Sequence, residues 1–199
     1  MTLPADKKQP AKSAPFWVRL IRRVLTRVIV ELVVLKSRLF GPPRVLLSGS
    51  SVNVGVLRRL GAQIGRGVRV HAPIVLHAGE NGYGNLAIGD GCILNGNNYL
   101  DLSGRIVLEK GVSLGPGVVI NTHNRFNYNE FLESVLASEC GVRDVIIKEG
   151  TGIKANALIV MGVTIGKHSV VAGGAVVNRD IPDFSFAAGV PAVVKRSLR

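Results

Sequence analysis

From residue 61 onward an aliphatic side chain returns at every sixth position, and no other feature of this 199-residue chain restricts its fold as much. The longest unbroken series is Ile147, Ile153, Ile159, Ile165, Val171 and Val177, all β-branched. Four residues after each of the first five comes a side chain that is usually small: Thr151, Ala157, Val163, Ser169 and Ala175. Earlier runs keep the period in other phases: Ile64 and Val70, then Ile88, Leu94, Leu100 and Ile106, then Leu108, Leu114 and Ile120. The phase slips at 76–88, near 106–108 and at 121–146. Loops are expected to leave the regular structure at those slips.

The period dictates an architecture. Each short strand points one aliphatic side chain inward, and the small residue at the fifth place of the hexad fits where walls meet. Gly, Asn and Asp between strands permit tight corners. Three strands per turn make a triangular prism of about eighteen residues per coil. A single coil cannot bury its own interior, so coils must stack and the two ends need covers. The N-terminal helix and the C-terminal tail are the candidate covers. Composition agrees: aromatic residues make up only 5% of the chain, so a core must be built of aliphatics.

The hexads read I-G-R-G-V-R, I-G-D-G-C-I, L-G-P-G-V-V and I-G-K-H-S-V. The stretch 162–182, G-V-T-I-G-K-H-S-V-V-A-G-G-A-V-V-N-R-D-I-P, is followed by A-A-G-V-P-A at 187–192. This pattern resembles the hexapeptide-repeat acyltransferases, above all the maltose and galactoside O-acetyltransferases and their polysaccharide-modifying relatives. The resemblance covers roughly residues 61–196. It implies a mainly β fold, a left-handed parallel β-helix with an N-terminal amphipathic α-helix and a loop excursion near 121–146. It also implies a homotrimer that binds acetyl-CoA between subunits.

His123 leads the candidate site residues. It follows the inward Ile120, where the repeat breaks into the long excursion. Acyl transfer to a hydroxyl needs a general base, and imidazole titrates near neutrality. The resemblance places the family's catalytic histidine at this position. It also carries an acceptor-binding role to Asn95, whose carboxamide can donate to and accept from a sugar hydroxyl. Glu139, near the end of the excursion, matches a family glutamate that binds the acceptor or orients the histidine; Glu130 and Glu133 compete with it. Coenzyme contacts are carried over to Ala155, Gly173, Asn178, Arg179 and Arg196. The two arginines suit nucleotide phosphates. No metal is expected, because His71, His77 and His168 are not spaced as a ligand set. Cys92 occupies a small-residue place of its hexad, and nothing marks Cys140 as an activated nucleophile.

The N-terminal part is different in kind. Residues 1–44 carry ten basic side chains against two acidic ones, a net +8 of the chain's +12. Residues 1–15 read as a disordered basic tail. Residues 16–40 contain neither Gly nor Pro and form an amphipathic basic helix. Residues 41–60 are a linker and the start of a cap, 61–190 the β-helix domain, and 191–199 a C-terminal tail. The basic helix points to an anionic membrane surface; the alternative is a helix packed on the body of the protein or on a neighbouring subunit, with its arginines in solvent. Nucleic acid is not expected, since no recognition motif or interleaved aromatics accompany the charge. Two cysteines and no secretory or membrane-spanning segment fit a cytoplasmic protein, peripheral on a membrane at most. The reading is therefore an acetyl-CoA-dependent O-acetyltransferase acting on a sugar of a surface polysaccharide or glycolipid precursor. Transfer to an amino group is the alternative within the enzyme class, and a non-catalytic trimeric scaffold the alternative outside it.

Overall fold

A computed structural model describes residues 15–78, 82–125 and 130–199. The tail expected at 1–15 lies, but for Pro15, outside the described residues. The chain forms a left-handed parallel β-helix with three faces. Strands of face one are Val45–Leu46, Ile74–Ala78, Asn98–Leu102, Val119–Ile120, Leu158–Ile159 and Val176–Val177. Face two holds Gln63–Ile64, Leu86–Ile88, Ile106–Leu108, Val145–Ile147 and Thr164–Ile165. Face three runs from Arg69–Val70 through Ile93–Leu94, Ser113–Leu114, Gly152–Ile153 and Val170–Val171 to Ser185–Ala188, with Val193–Ser197 beyond.

The hexad series is the core. Ile147 sits over Leu108 and under Ile165, Ile153 between Leu114 and Val171, Ile159 between Ile120 and Val177. All are essentially inaccessible to solvent. Burying each such side chain contributes about 1.5–3 kcal/mol relative to leaving it exposed. The small fifth-place residues form second columns beside them, and their polar members are satisfied. The Thr151 hydroxyl donates to the Gly166 carbonyl at 2.7 Å and the Ser169 hydroxyl to that of Pro182 at 2.8 Å. Corners repeat their backbone from coil to coil. At one edge Gly150 (φ +68°) stacks on His168 (φ +52°), so the histidine fills a left-handed corner and its ring leans on Phe184.

Both ends of the stack are closed by antiparallel strands: Val45–Leu46 on Ile74–Ala78, and Val193–Ser197 on Ser185–Ala188. That pairing covers strand edges that would otherwise template aggregation. The N-terminal plug is not the long helix. Helix α1 (Phe16–Phe40) lies outside helix α2 (Ser50–Arg59), and α2 covers the prism. Its Val56 and Leu57 enter the core, and Arg58 donates to the carbonyls of Ile64 and Gly65. Sequence patterning favoured the longer helix because its periodicity is stronger. Only the stripe Val30, Val33 and Val34 of α1 packs inward.

Candidate active site

The expected excursion leaves face one after Ile120 and rejoins face two at Val145. Its stem is a two-residue ribbon, with His123 opposite Val142 and Asn124 opposite Gly141. Beyond it come helix α3 (Glu130–Val135) and a single turn at Ala137–Glu139. The Asn124 carboxamide donates to the Glu139 carbonyl at 3.3 Å, which brings the end of the loop back beside the histidine.

His123 is held from below by Asp101, at the end of the strand Asn98–Leu102. Its Nδ1 lies 2.6 Å from Asp101 Oδ2, and its own backbone N–H donates to the same oxygen at 3.0 Å. Asp101 is 1% exposed. It also accepts from the Thr122 N–H and hydroxyl at 2.8 and 2.9 Å, and from the Ser103 N–H and hydroxyl. Burial alone would raise this carboxyl. The hydrogen bonds from His123, Thr122 and Ser103 outweigh it and bring the pKa down to about 2. Asp101 is therefore an anion that can only accept, and the neutral ring must carry its proton on Nδ1. Nε2 is left with the lone pair. The ring is 35% exposed, and that of His77 lies roughly parallel to it at 5.7 Å.

Asp101 was missed by sequence reasoning, although a signal existed. Leu100 and Leu102 both point inward, as do Ile106 and Leu108, so this coil is two residues longer than the one that follows the regular period. The slip near 106–108 is the trace of those residues, and Asp101 is the polar side chain buried at it. The side chain paired with the His123 ring is that of Asp101, not that of Glu139. Glu139 is exposed, as is Glu130, and the side chain of Glu133 lies outside the described residues. His77, set aside as a metal ligand, stands beside Asp101 in register. Among the described residues no three His, Cys, Asp or Glu side chains are grouped to hold a metal.

The remaining candidates divide between two edges of the prism. Asn178 and Arg179 follow the face-one strand Val176–Val177, on the edge that carries His123, two strands further along the ladder. Asn95 lies on the other edge of face one and donates to the Leu114 carbonyl at 2.8 Å. Ala155 and Gly173 occupy that second edge in successive coils, where a Cβ on Gly173 would come within 3.0 Å of the Ala155 carbonyl oxygen. Arg196 lies on the terminal antiparallel strand with its guanidinium over the Phe186 ring, 5.5 Å from its centroid. One chain thus brings His123, Asn178 and Arg179 to one edge, and Asn95, Ala155 and Gly173 to another. Cys92 is buried, donates to the Glu109 carbonyl, and has its thiol pushed up by burial, while Cys140 is half-buried.

No protein-family model matches the chain. It is 29% identical over 143 residues to the galactoside O-acetyltransferase of Lactococcus lactis, covering 72% of this chain and 66% of that one. It is 50% identical over 50 residues to the dTDP-3-amino-3,6-dideoxy-alpha-D-galactopyranose 3-N-acetyltransferase of Aneurinibacillus thermoaerophilus, covering 25% and 26%. The match therefore spans just under two thirds of the first relative's length and about a quarter of the second's. In structure the chain superposes on a hexapeptide-repeat acetyltransferase of Vibrio cholerae complexed with acetyl coenzyme A, with a TM-score of 0.66, 26% identity and 88% coverage of both chains. Agreement in repeat, topology and relatives leads to one conclusion: the chain has the left-handed β-helix fold of the hexapeptide-repeat acetyltransferases, and it is these proteins that it is similar to.

Proposed function

We propose that this protein transfers an acetyl group from acetyl-CoA to a hydroxyl of a sugar. The observation that carries the reading is the Asp101–His123 pair, a buried anion fixing the tautomer of a half-exposed imidazole. His123 Nε2 takes the proton of the acceptor hydroxyl as its oxygen attacks the thioester carbonyl. Collapse of the tetrahedral intermediate breaks the carbon–sulfur bond, and His123 returns the proton to the coenzyme thiolate. A backbone N–H stabilises the developing oxyanion. Asp101 stabilises the imidazolium that forms between the two proton transfers.

The division of candidates between two edges supports a homotrimer, in which an edge of one prism lies along an edge of the next. Ala155 and Gly173 of one copy would line one wall of the coenzyme groove, and Asn178 and Arg179 of its neighbour the other. Small side chains let the pantetheine arm approach the backbone, and Arg179 and Arg196 are suited to its phosphates. Asn95 and Glu139 would contact the acceptor. A surface polysaccharide or glycolipid precursor is the acceptor we favour, its hydroxyl meeting the partly exposed His123 ring. The relative from A. thermoaerophilus supports a second reading, transfer to the amine of an amino sugar, which uses the same base.

Calorimetric titration with acetyl-CoA of the wild type and of His123→Ala is the first test. Both are expected to bind with similar affinity, and the variant to lose about 10²–10⁴ in turnover on a panel of sugar and amino-sugar acceptors. A folded wild type that binds no coenzyme would remove the acyltransferase reading and leave a trimeric scaffold.

A further inference from the structure

The broad apolar stripe of α1 faces away from the rest of the protein. Trp17, Ile21, Leu25, Val28, Leu32 and Leu35 share one side of the helix, and each is about half exposed or more, Trp17 at 63%. The contact with α2 uses the opposite side, where Val30 packs against Gly55. At 100° per residue Arg22, Arg27, Lys36 and Arg38 border the stripe on its two flanks, while Arg19 and Arg23 lie on the polar side. Glu31, the only acid in the helix, is paired with Arg59 of α2. The helix is not long and apolar enough to cross a membrane.

We propose that α1 lays this stripe in the plane of an anionic phospholipid bilayer, with Trp17 at the boundary between headgroups and acyl chains. An apolar side flanked by arginines, on a helix of modest overall hydrophobicity, is the arrangement of an interfacial helix. Charge selects the occupant. A second copy of the same stripe would bring two sets of arginines together with no free acid in either helix to offset them. A bilayer carrying phosphatidylglycerol or phosphatidylserine buries the same apolar side chains and neutralises the flanks. The surface is separate from the His123 edge, so coenzyme binding serves as an independent check of folding.

Trp17 is the only tryptophan of the chain and reports on its own surroundings. The full chain is mixed with phosphatidylcholine vesicles, with or without about 30% phosphatidylglycerol, and followed by emission and co-sedimentation. A blue shift and sedimentation with the anionic vesicles, weaker with neutral ones and falling as salt rises, are expected. Arg22→Gln and Arg27→Gln should each lower partitioning about fivefold. Leu25→Glu combined with Leu32→Glu should abolish it while acetyl-CoA binding and melting stay unchanged. Failure of the wild type to bind anionic vesicles overturns the proposal, and so does intact binding by the double glutamate variant. A double variant that dissociates the assembly in sedimentation velocity would assign the stripe to a second copy instead.

Discussion

Asp101 spends its buried charge on a single ring nitrogen and the turn around it, and that can be measured separately from turnover. Its pKa is lowered in the fold, so the stabilisation is present above the ordinary carboxylate value and is lost as pH falls from about 4 toward about 2. Asp101→Asn is expected to flatten acid unfolding across that window, removing about 2 kcal/mol of pH-dependent stability. The same variant should lower turnover by about 10²–10⁴ while leaving coenzyme affinity intact, because a carboxamide no longer imposes the tautomer or stabilises the imidazolium. If turnover falls only in proportion to the folded fraction, Asp101 is structural alone. At this scale the sequence was legible where the repeat broke visibly. His123 follows an inward residue at a large break, so its place could be read. Asp101 sits at a slip of only two residues, inside a strand that otherwise alternates normally. Its partner is twenty-two positions away, a distance that only the winding of the coil makes short.

Among the elements, α2 has the greater structural consequence and α1 the more prominent sequence. Leu57 is fully buried under the open end of the prism, and Leu57→Ala is expected to cost about 2–5 kcal/mol in chemical denaturation. Gly115 offers a different test. A Cβ there would lie 2.7 Å from the Ala155 amide nitrogen and 2.9 Å from the Lys154 carbonyl carbon, both backbone atoms with little freedom to retreat. Gly115→Ala should therefore destabilise by about 1–3 kcal/mol through overpacking. If its melting matches that of the wild type, the coils are looser than the geometry implies. The strands were predictable because each hexad places its own inward residue. The plug was legible only as the start of a cap within 41–60, and its helix was not, because ten residues, S-S-V-N-V-G-V-L-R-R, carry few apolar positions and a central glycine. That glycine makes room for Val30 of α1, a reason found in another helix and not in the local pattern.

For the whole molecule, the division of candidate residues between two edges makes a prediction that no single chain can satisfy. If a site is shared between neighbours, mixing His123→Ala with Asn95→Ala subunits should restore activity to about a quarter of the wild-type level under random assembly. Recovery no greater than the two variants give separately would place each site within one chain. The prism, its parallel ladders and its loop exits were all implied by period and phase. Which edges meet was not, since hexads look alike on every face. The stacking also fixes a length. His123 leaves the third parallel strand of face one, counted from the end that α2 closes, and neighbouring strands lie about 4.8 Å apart. Elevation of the His123 ring above that end is thus counted in whole rungs. Deleting or duplicating one complete coil between α2 and Asn98 would lower or lift it by about 4.8 Å without redesigning either end, which makes the β-helix a ruler between α1 and His123.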